Sequence, residues 1–424
     1  MVLKGWKMHL KILVSLSLIF LGLGASEIES PKSKQGVSLI DSFKTFSIDD
    51  SYLSSYKKEQ IKIDKKRVEL QSDNLKYDWI SSIMGSASYT NSDSLGYTKE
   101  TLSASITIDQ PIFKSGGIWY AIKYAGANRE FLRLGTEQNQ LNLLKSVISY
   151  LFQIKKYEMQ ILKQKLLIKN SNIDVMRKKE QYESGLLDSS FLDSAILDRS
   201  RLEIALLDLE SQKHSIVMKF KSISDLDYKS TKLPKFMLIK KSTYLDSLLS
   251  LKSKRAEEIK NRYLKKMTVS NYLPTVSFFA GYYAKKDSFN GMSQSSDYNQ
   301  FGLRFSMPLY SVNKSRDIEI KQLDLLKSKL EYLDLKRDEE NTYTDSVERL
   351  KILDKKIEIV KRNEKLYASL LSATKESYSA GEKTIYDVNT LKNSMKTTSL
   401  DIKIYELDKQ MILLELYAKM NGEI

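Results

Sequence analysis

A heptad pattern that occurs twice, 196 residues apart, limits the possible folds of this chain more than any other feature. The first copy is a seam of Val147, Ile154, Ile161, Ile168, Val175 and Tyr182. The second is Tyr343, Leu350, Ile357, Glu364, Leu371 and Tyr378, in which only Glu364 breaks the pattern. Heptad spacing is typical of long helices packed side by side. The sequence therefore predicts a duplicated unit built on long helices.

Composition supports long elements and argues against enzymes. The 424 residues include 5 prolines, 16 glycines, 2 histidines and no cysteine. Few helix breakers favour long uninterrupted elements, while the missing thiols and scarce imidazoles exclude disulfides, zinc-thiolate sites and histidine triads. We expect no enzyme activity, no cofactor and no metal. The net charge is +15, but basic and acidic residues are interspersed along the predicted helices. This pattern indicates solvated helix faces and no nucleic-acid partner.

The N-terminus predicts export. Three lysines precede an apolar run over residues 12–23, and small residues follow at 24–26. This is the layout of a secretory signal peptide, assigned here to residues 1–26. No later apolar run reaches the length of a membrane-spanning helix, so an exported chain of this kind is expected to enter a membrane only through β-strands.

Two stretches show the period-two alternation of strands. In the first predicted hairpin, 83–108, the second strand places Leu102, Ala104, Ile106 and Ile108 on one face and polar residues on the other. The second predicted hairpin, 275–307, alternates in the same way around Phe301, Leu303 and Phe305. Helical segments at about 38–80 and 244–272 precede the two hairpins. Each hairpin therefore has one apolar and one wet face.

Similar sequences close both hairpins. Gln110-Pro111-Ile112-Phe113 ends the first and Met307-Pro308-Leu309-Tyr310 ends the second. Proline suits a strand terminus and disrupts a helix interior. Gly116 and Gly117 then allow a sharp exit into the first long helix. In the second half we expect Asn313 to adopt the left-handed conformation instead, since asparagine tolerates it.

Long helical hairpins follow each of these turns. We predict them over 119–227, with a tip near Gly185, and over 315–420, with a tip near Gly381. The fold class is therefore mainly α with a small β part. The domains are a first repeat over 27–233 and a second over 234–424. Four strands cannot close a barrel, so strands that enter a membrane must be pooled from several chains.

In this order and doubled, the motifs resemble the TolC family of outer-membrane efflux proteins. The resemblance covers nearly the whole mature chain and is most specific at Leu273-Pro274, at the Pro111 and Gly116-Gly117 turn, and at 378–388. It implies a homotrimer whose pooled strands form a barrel in outer-membrane lipid and whose helices form an α-barrel tunnel across the periplasm. It also implies a periplasmic adaptor, an inner-membrane pump of the RND or ABC type, and passage of drugs or exported proteins.

The sequence departs from that family at three places. Tyr77 stands where a proline matching Pro274 is expected, and the second half lacks the glycine pair. The sequence also stops at Met420-Asn421-Gly422-Glu423-Ile424, and the linker between the repeats, near Pro234, is short. We therefore expect a reduced belt around the middle of the tunnel.

The resemblance points to gate residues just after the second tip. Asp387 matches an inward carboxylate of the family, and a ring of three would favour cations. The alternative is a capping box, Thr384-x-x-Asp387, that starts the return helix. Asp193 is a lesser gate candidate in the first half, where Asp188 is the expected cap. The tips, Gly185 and Gly381 with Tyr182 and Tyr378, are the predicted adaptor contacts.

Arg304 shares a strand face with Gly302 and Ser306, so we expect it to point into the lumen, or else to anchor a strand end near the headgroups. Two other functions are open to a chain of this kind. A periplasmic adaptor also carries a long helical hairpin, but usually only one within β-rich domains. An exported structural coiled coil would explain the seams and leave the alternating hairpins without a role.

Overall fold

The computed structural model describes residues 50–94, 97–289 and 292–420. The predicted signal peptide, 1–26, and the first part of the predicted 38–80 helix lie outside these ranges. In the described residues, helices α1 to α7 are Ser55–Tyr77, Gly117–Glu183, Ser189–Lys221, Lys241–Ser247, Leu249–Ser270, Lys314–Ser379 and Ile385–Tyr417. Strands β1 to β4 are Met84–Ser94, Tyr97–Phe113, Thr275–Phe289 and Met292–Ser306.

Helices α2 and α6 are the two long helices that the heptad seams predict. They contain 67 and 66 residues, which corresponds to about 100 Å each at about 1.5 Å per residue. Proline is absent from both, so no backbone N–H is missing along their length. The upper part of the first seam is fully buried at Val147 and Ile154, whereas Tyr182 at its end is exposed.

Both helical hairpins turn in the same way. After α2, Gly185 has φ +72°, and the Leu186 N–H donates to the Gln181 carbonyl. After α6, Gly381 has φ +81°, and the Glu382 N–H donates to the Ser377 carbonyl. A left-handed glycine, followed by a residue whose N–H donates to the carbonyl five residues earlier, is a Schellman motif. It satisfies carbonyls that the last helical turn leaves free. Both turns lie at the glycines where the sequence predicts the tips.

One antiparallel sheet contains all four strands, in the order β1-β2-β3-β4. Its register places Ile106 beside Tyr282, and Ile108 beside Ala280 and thus in line with Phe301. The apolar face comprises Tyr89, Leu102, Ile106, Ile108, Phe278, Ala280, Phe301, Leu303 and Phe305. The polar face comprises Ser86, Ser88, Ser103, Ser105, Thr107, Asp109, Ser277 and Arg304. The alternation predicted from the sequence is confirmed, and β1 and β4 are the sheet's two edges.

The helices nearest the sheet repeat its lateral order. Helix α1 packs on α2, α2 on α5, and α5 on α6. Each of these helices connects directly to the strand in the same position, so β1 and α1 form one edge and β4 and α6 the other. Towards the tips the order becomes α3-α2-α7-α6. Helix α6 is thus one edge along its whole length.

The main core lies around the middle of α2. Val147, Ile148, Leu151, Phe152 and Ile154 are all buried there against α3, α6, α7 and the linker. A second cluster forms where the linker meets the end of α7. In it the Tyr244 hydroxyl donates to Glu339 at 2.7 Å, and Lys419 Nζ lies 2.9 Å from the same carboxylate. Glu339 is only 6% exposed, so this charge is paired and hydrogen-bonded inside the protein.

Three local predictions were wrong. The expected helix over 244–272 is interrupted, because Leu248 adopts an extended conformation and bridges to Met420. Strand β2 does not end at residue 108 but runs past Pro111, where a register shift accommodates the proline. Asn313 is right-handed, with φ −91°, so the second turn is made without a left-handed residue there. In the first turn Ser115, at φ +46°, adopts positive φ beside Gly116.

Among the residues that the structure describes, no helix is both long and apolar enough to cross a membrane.

Candidate functional site

Asp387 forms the predicted capping box and, in addition, an ion pair with the first hairpin that the sequence did not predict. Its carboxylate accepts hydrogen bonds from the Thr384 N–H at 3.0 Å and the Thr384 hydroxyl at 2.8 Å, while Thr384 Oγ1 accepts from the Asp387 N–H. This is the predicted capping box at the start of α7. The other oxygen of Asp387 lies 2.9 Å from Arg177 Nη2 near the end of α2. The carboxylate thus joins the second hairpin to the first.

These contacts hold Asp387 in its charged form. The Thr384 hydroxyl and N–H are the main causes that lower the pKa of Asp387 below its ordinary value of 3.8, and Arg177 adds to the effect. Hydrogen bonds and a nearby cation both favour the carboxylate. Asp387 is therefore ionised at neutral pH and able to hold Arg177.

The Arg177–Asp387 pair is the last of four polar contacts between α2 and α7, which we call the polar ladder. Lys156 lies 2.6 Å from Asp408, and Lys163 lies 2.6 Å from Asp401. Asn170 then donates to Ser394 and to the Thr390 carbonyl at 3.3 Å, and accepts from Asn393 at 2.8 Å. The α2 residues are spaced one heptad apart, and so are Asp408, Asp401, Ser394 and Asp387 on α7. Antiparallel helices in register produce this spacing.

The contact between the two hairpins has two parts, which meet near Lys156. Between Lys156 and the sheet, buried apolar side chains such as Ile154 and Leu414 hold α2 and α7 together. Between Lys156 and the tip lies the polar ladder, whose charged side chains become more exposed towards the tip, where Arg177 is 42% and Asp387 30% exposed. Ion pairs of that exposure are worth only about 0–1 kcal/mol each. The tip halves also bury fewer apolar side chains, among them Leu166, Leu400 and Ile404, and are thus joined more weakly than the halves nearer the sheet.

The first tip also has a cap, but the ion pairs described for α3 are with α2 or within α3 itself. Asp188 accepts the Ser190 N–H at 2.9 Å and caps α3, as predicted. Asp193 is exposed, and no described side chain forms an ion pair with it. Tyr182 and Tyr378 are both about half exposed at the ends of the long helices. Asp387 is therefore the one of the two predicted gate carboxylates that contacts another helix.

Sequence reasoning missed Arg177, which is 210 residues away from its partner. A signal for it exists in the sequence. Lys156, Lys163, Asn170 and Arg177 form a polar heptad series parallel to the apolar seam, displaced by two residues. A search for polar as well as apolar heptads would have found it.

The predicted turn residues lie where the first hairpin passes into the helices. Pro111 and Phe113 are in the last part of β2, and Gly116, at φ +83°, precedes α2. A Cβ on Gly117 would lie 2.5 Å from Ser270 Oγ, so the close approach of α2 and α5 requires glycine there. In the second half, Pro308 and Tyr310 follow β4, and Tyr310 is largely exposed.

Arg304 lies on the polar face of the sheet. It forms an ion pair with Asp109 on β2, and its guanidinium is stacked 4.9 Å from the Phe279 ring centre. Ser86 with Ser105, and Ser88 with Ser103, form hydrogen-bonded pairs farther along the same face. Apart from Phe279, most side chains of this face carry hydrogen-bonding groups, in contrast to the apolar face behind it.

No protein-family model matches the sequence, and no curated protein matches it. Solved structures do. The outer membrane protein VceC from Vibrio cholerae is 14% identical, with a TM-score of 0.66 over 87% of this chain and 94% of its own. CusC, described for transmembrane channel formation, is 14% identical, with a TM-score of 0.67 over 93% and 98%. The Campylobacter jejuni outer membrane channel CmeC is 13% identical, with a TM-score of 0.64 over 94% and 95%.

Each of these similarities extends over most of this chain and nearly all of the compared chain. They confirm the predicted fold class: long antiparallel helical hairpins, given twice, with a four-stranded sheet. At 13–14% identity the likeness establishes the fold and leaves function to the residues of this chain.

Proposed function

We propose that this chain, which has the TolC-type fold of VceC, CusC and CmeC, is the outer-membrane channel of an export system. In this proposal it is a homotrimer. The sheets of three copies form one barrel in the outer membrane, and the helices form a tunnel in the periplasm. The tunnel is a passive duct for drugs or exported proteins, gated at the tips, and it docks on a periplasmic adaptor and an inner-membrane pump.

The observation that carries the proposal is the sheet itself. Its apolar face is exposed: Phe301 is 78% and Leu303 68% accessible to solvent in the single chain. An exposed apolar sheet face opposite a wet one is the pattern of a strand pair between lipid and a water-filled lumen. Within the described ranges, no further strand pairs with the outer edge of β1 or of β4. In lipid their backbone groups have to be paired by further strands.

The helical edges support assembly with further copies. Towards the tip, α3 exposes Leu197, Ile204 and Leu207, and α6 exposes Ile352, Ile359 and Leu366. Both sets follow heptad-like spacing on the outer helices of the α3-α2-α7-α6 layer. If copies are arranged in a ring, α3 of one copy faces α6 of the next, and each apolar stripe covers the other. The β1 and β4 edges then meet in the same step.

The polar ladder supplies the proposed gate. Adaptor binding at the tips, around Gly185 and Gly381, favours a state in which the second hairpin swings outward, and the closed state is held by contacts such as Arg177–Asp387. A population shift of this kind requires contacts that are weak enough to exchange. Partly exposed ion pairs meet that requirement, whereas the buried core above Lys156 does not.

The test is extraction and reconstitution. The protein is expected in the outer-membrane fraction, as a trimer in detergent that forms ion channels in planar bilayers. A soluble monomer without channel activity would contradict the proposal and would leave an adaptor or a structural coiled coil as the alternatives.

Two neighbouring substitutions test which sheet face meets lipid. Ile106→Arg places a charge on the apolar face, where it costs about 2–4 kcal/mol near the membrane midplane. We expect this variant to be lost from the outer membrane. Ser103→Arg, three residues away on the polar face, is expected to assemble and to alter conductance. Equal assembly of the two variants would contradict the assignment of the faces.

A further inference from the structure

A groove between α1, α2 and α5 lies directly beneath the sheet and takes no part in the channel mechanism above. Its volume is about 510 Å³, within the range of small-molecule clefts. Ala256, Gly126 and Ala127 form a floor of small residues, and Tyr263 borders one side. Basic side chains border it as well: Lys76 from α1, and Lys123 and Arg129 from α2.

None of these three cations has an acidic partner among the residues that the structure describes. In the described parts of the chain, no carboxylate oxygen lies within 4.0 Å of any of them. Lys76 instead lies over the Tyr77 ring at 5.3 Å, and Lys123 lies over the Trp119 ring at 5.5 Å. Aromatic faces hold a cation without neutralising it. The groove thus presents positive charge that is free to bind an anion.

The acidic residues of the groove do not cancel this charge. Glu130 is bound to Arg133 through both of its oxygens, at 2.7 and 3.0 Å. Asp73 is the remaining carboxylate at the groove and has no described cation partner. Three unpaired cations therefore face one unpaired carboxylate.

Aromatic residues place the groove at the membrane boundary. Two of the chain's three tryptophans are Trp79, shortly before β1, and Trp119, shortly after β2. Tryptophan is enriched at membrane–water interfaces, and aromatic girdles flank transmembrane barrels. Trp119 is 53% exposed and packs edge-on against Tyr263, with 6.3 Å between ring centres. The groove therefore opens beside the girdle residue, about two turns of helix below the sheet.

We propose that this groove binds the headgroup of an anionic phospholipid from the periplasmic leaflet. The phosphate pairs with Lys76 and Lys123, Arg129 reaches it from below, and the acyl chains extend past Trp119 into the bilayer. Charge complementarity favours an anionic headgroup over a zwitterionic one. The proposal rests on the proposed function, because it needs the sheet in a membrane.

Native mass spectrometry of the purified full-length protein in detergent tests the site. Phosphatidylglycerol and phosphatidylcholine with identical acyl chains are added separately, and bound lipids are counted. One lysine near an anionic lipid surface contributes about fivefold in affinity, so we expect an advantage of about 25-fold for phosphatidylglycerol from Lys76 and Lys123 together. The triple variant Lys76→Ala, Lys123→Ala, Arg129→Ala should bind both lipids equally.

Matched control variants distinguish binding at this groove from the general effects of lost positive charge and of an added side chain. Lys355→Ala, Lys361→Ala, Arg362→Ala removes the same charge from an exposed part of α6 far from the sheet, and should keep the lipid preference. A side chain added at Gly126 or at Gly135 would begin in open space. Gly126→Leu fills the groove and should lower binding of both lipids, whereas Gly135→Leu should not.

Three results would overturn the proposal: equal binding of the two lipids by the natural protein, an unchanged preference in the triple variant, or displacement of the lipid by soluble glycerol phosphate. The last would identify a site for free phosphate. Channel formation is measured on the same preparations. Channels without lipid preference would remove this site alone, whereas a preparation that forms no channels would contradict the proposed function.

Discussion

Replacing Arg177 by alanine separates the two roles of Asp387. The substitution removes the contact between α2 and α7 at the tip and leaves the Thr384–Asp387 capping box intact. Thr384→Ala does the reverse, because the arginine pair does not involve Thr384. We expect Arg177→Ala to favour the open state and Thr384→Ala to act mainly on stability, by about 1 kcal/mol for a lost cap.

The size of the effect follows from exposure and from the number of copies. With side chains 42% and 30% exposed, the pair contributes about 0.2–1 kcal/mol per chain. Three copies that open together lose about 0.6–3 kcal/mol of closed-state stability. At about 1.4 kcal/mol per factor of ten, the closed-to-open ratio falls by roughly 3- to 150-fold.

Single-channel recording in planar bilayers measures this ratio as open probability. Lys178→Ala is the matched control, because it removes a neighbouring cation whose partner, Asp174, is on the same helix at 3.1 Å. The control should behave like the natural protein, and Asp387→Ala should change conductance or ion selectivity as well as open probability. If Arg177→Ala and Lys178→Ala have equal open probabilities, the pair does not hold the gate.

Three further predictions concern acid, a buried charge and the tip glycines. The pKa of Asp387 lies below 3.8. The stabilisation of the closed state by its ion pair with Arg177 is therefore fully present above that pH and is lost as the pH falls through the lowered pKa. Open probability should stay constant from pH 7 to about 4 and rise below 3.8. Glu339→Ala leaves the buried Tyr244 hydroxyl without its acceptor and Lys419 without its partner, and should cost about 1–3 kcal/mol, read as a lower melting temperature. Gly381→Ala, at φ +81°, should lower stability by about 1–2 kcal/mol, whereas Gly135→Ala within α2 should raise it by about 0.5–1 kcal/mol in the same thermal melts.

The helical hairpins and the sheet were predictable because their signals are local and repeated. Heptads recur over many turns in α2 and α6, and Gly185 and Gly381 mark the tips by the same sequence pattern. Period-two alternation likewise assigned both faces of the sheet before its register was known. A pattern that repeats over many residues remains recognisable when one residue departs from it.

Contacts between distant segments were not predictable in the same way. The Arg177–Asp387 pair and the Tyr244–Glu339 bond depend on which helix neighbours which, and periodicity within one helix does not fix that. Two local predictions were wrong for a related reason. Pro111 remains in β2 because a bulge accommodates it, and Leu248 breaks a helix because Met420 offers it a backbone partner. In both cases tertiary packing overrides local preference.

The most direct test of the central claim is single-channel recording from protein extracted from the outer membrane in detergent. We predict a trimer that inserts into planar bilayers and conducts ions, with a higher open probability in Arg177→Ala. Protein that fractionates as a soluble monomer, or a purified trimer that never conducts, would contradict the account.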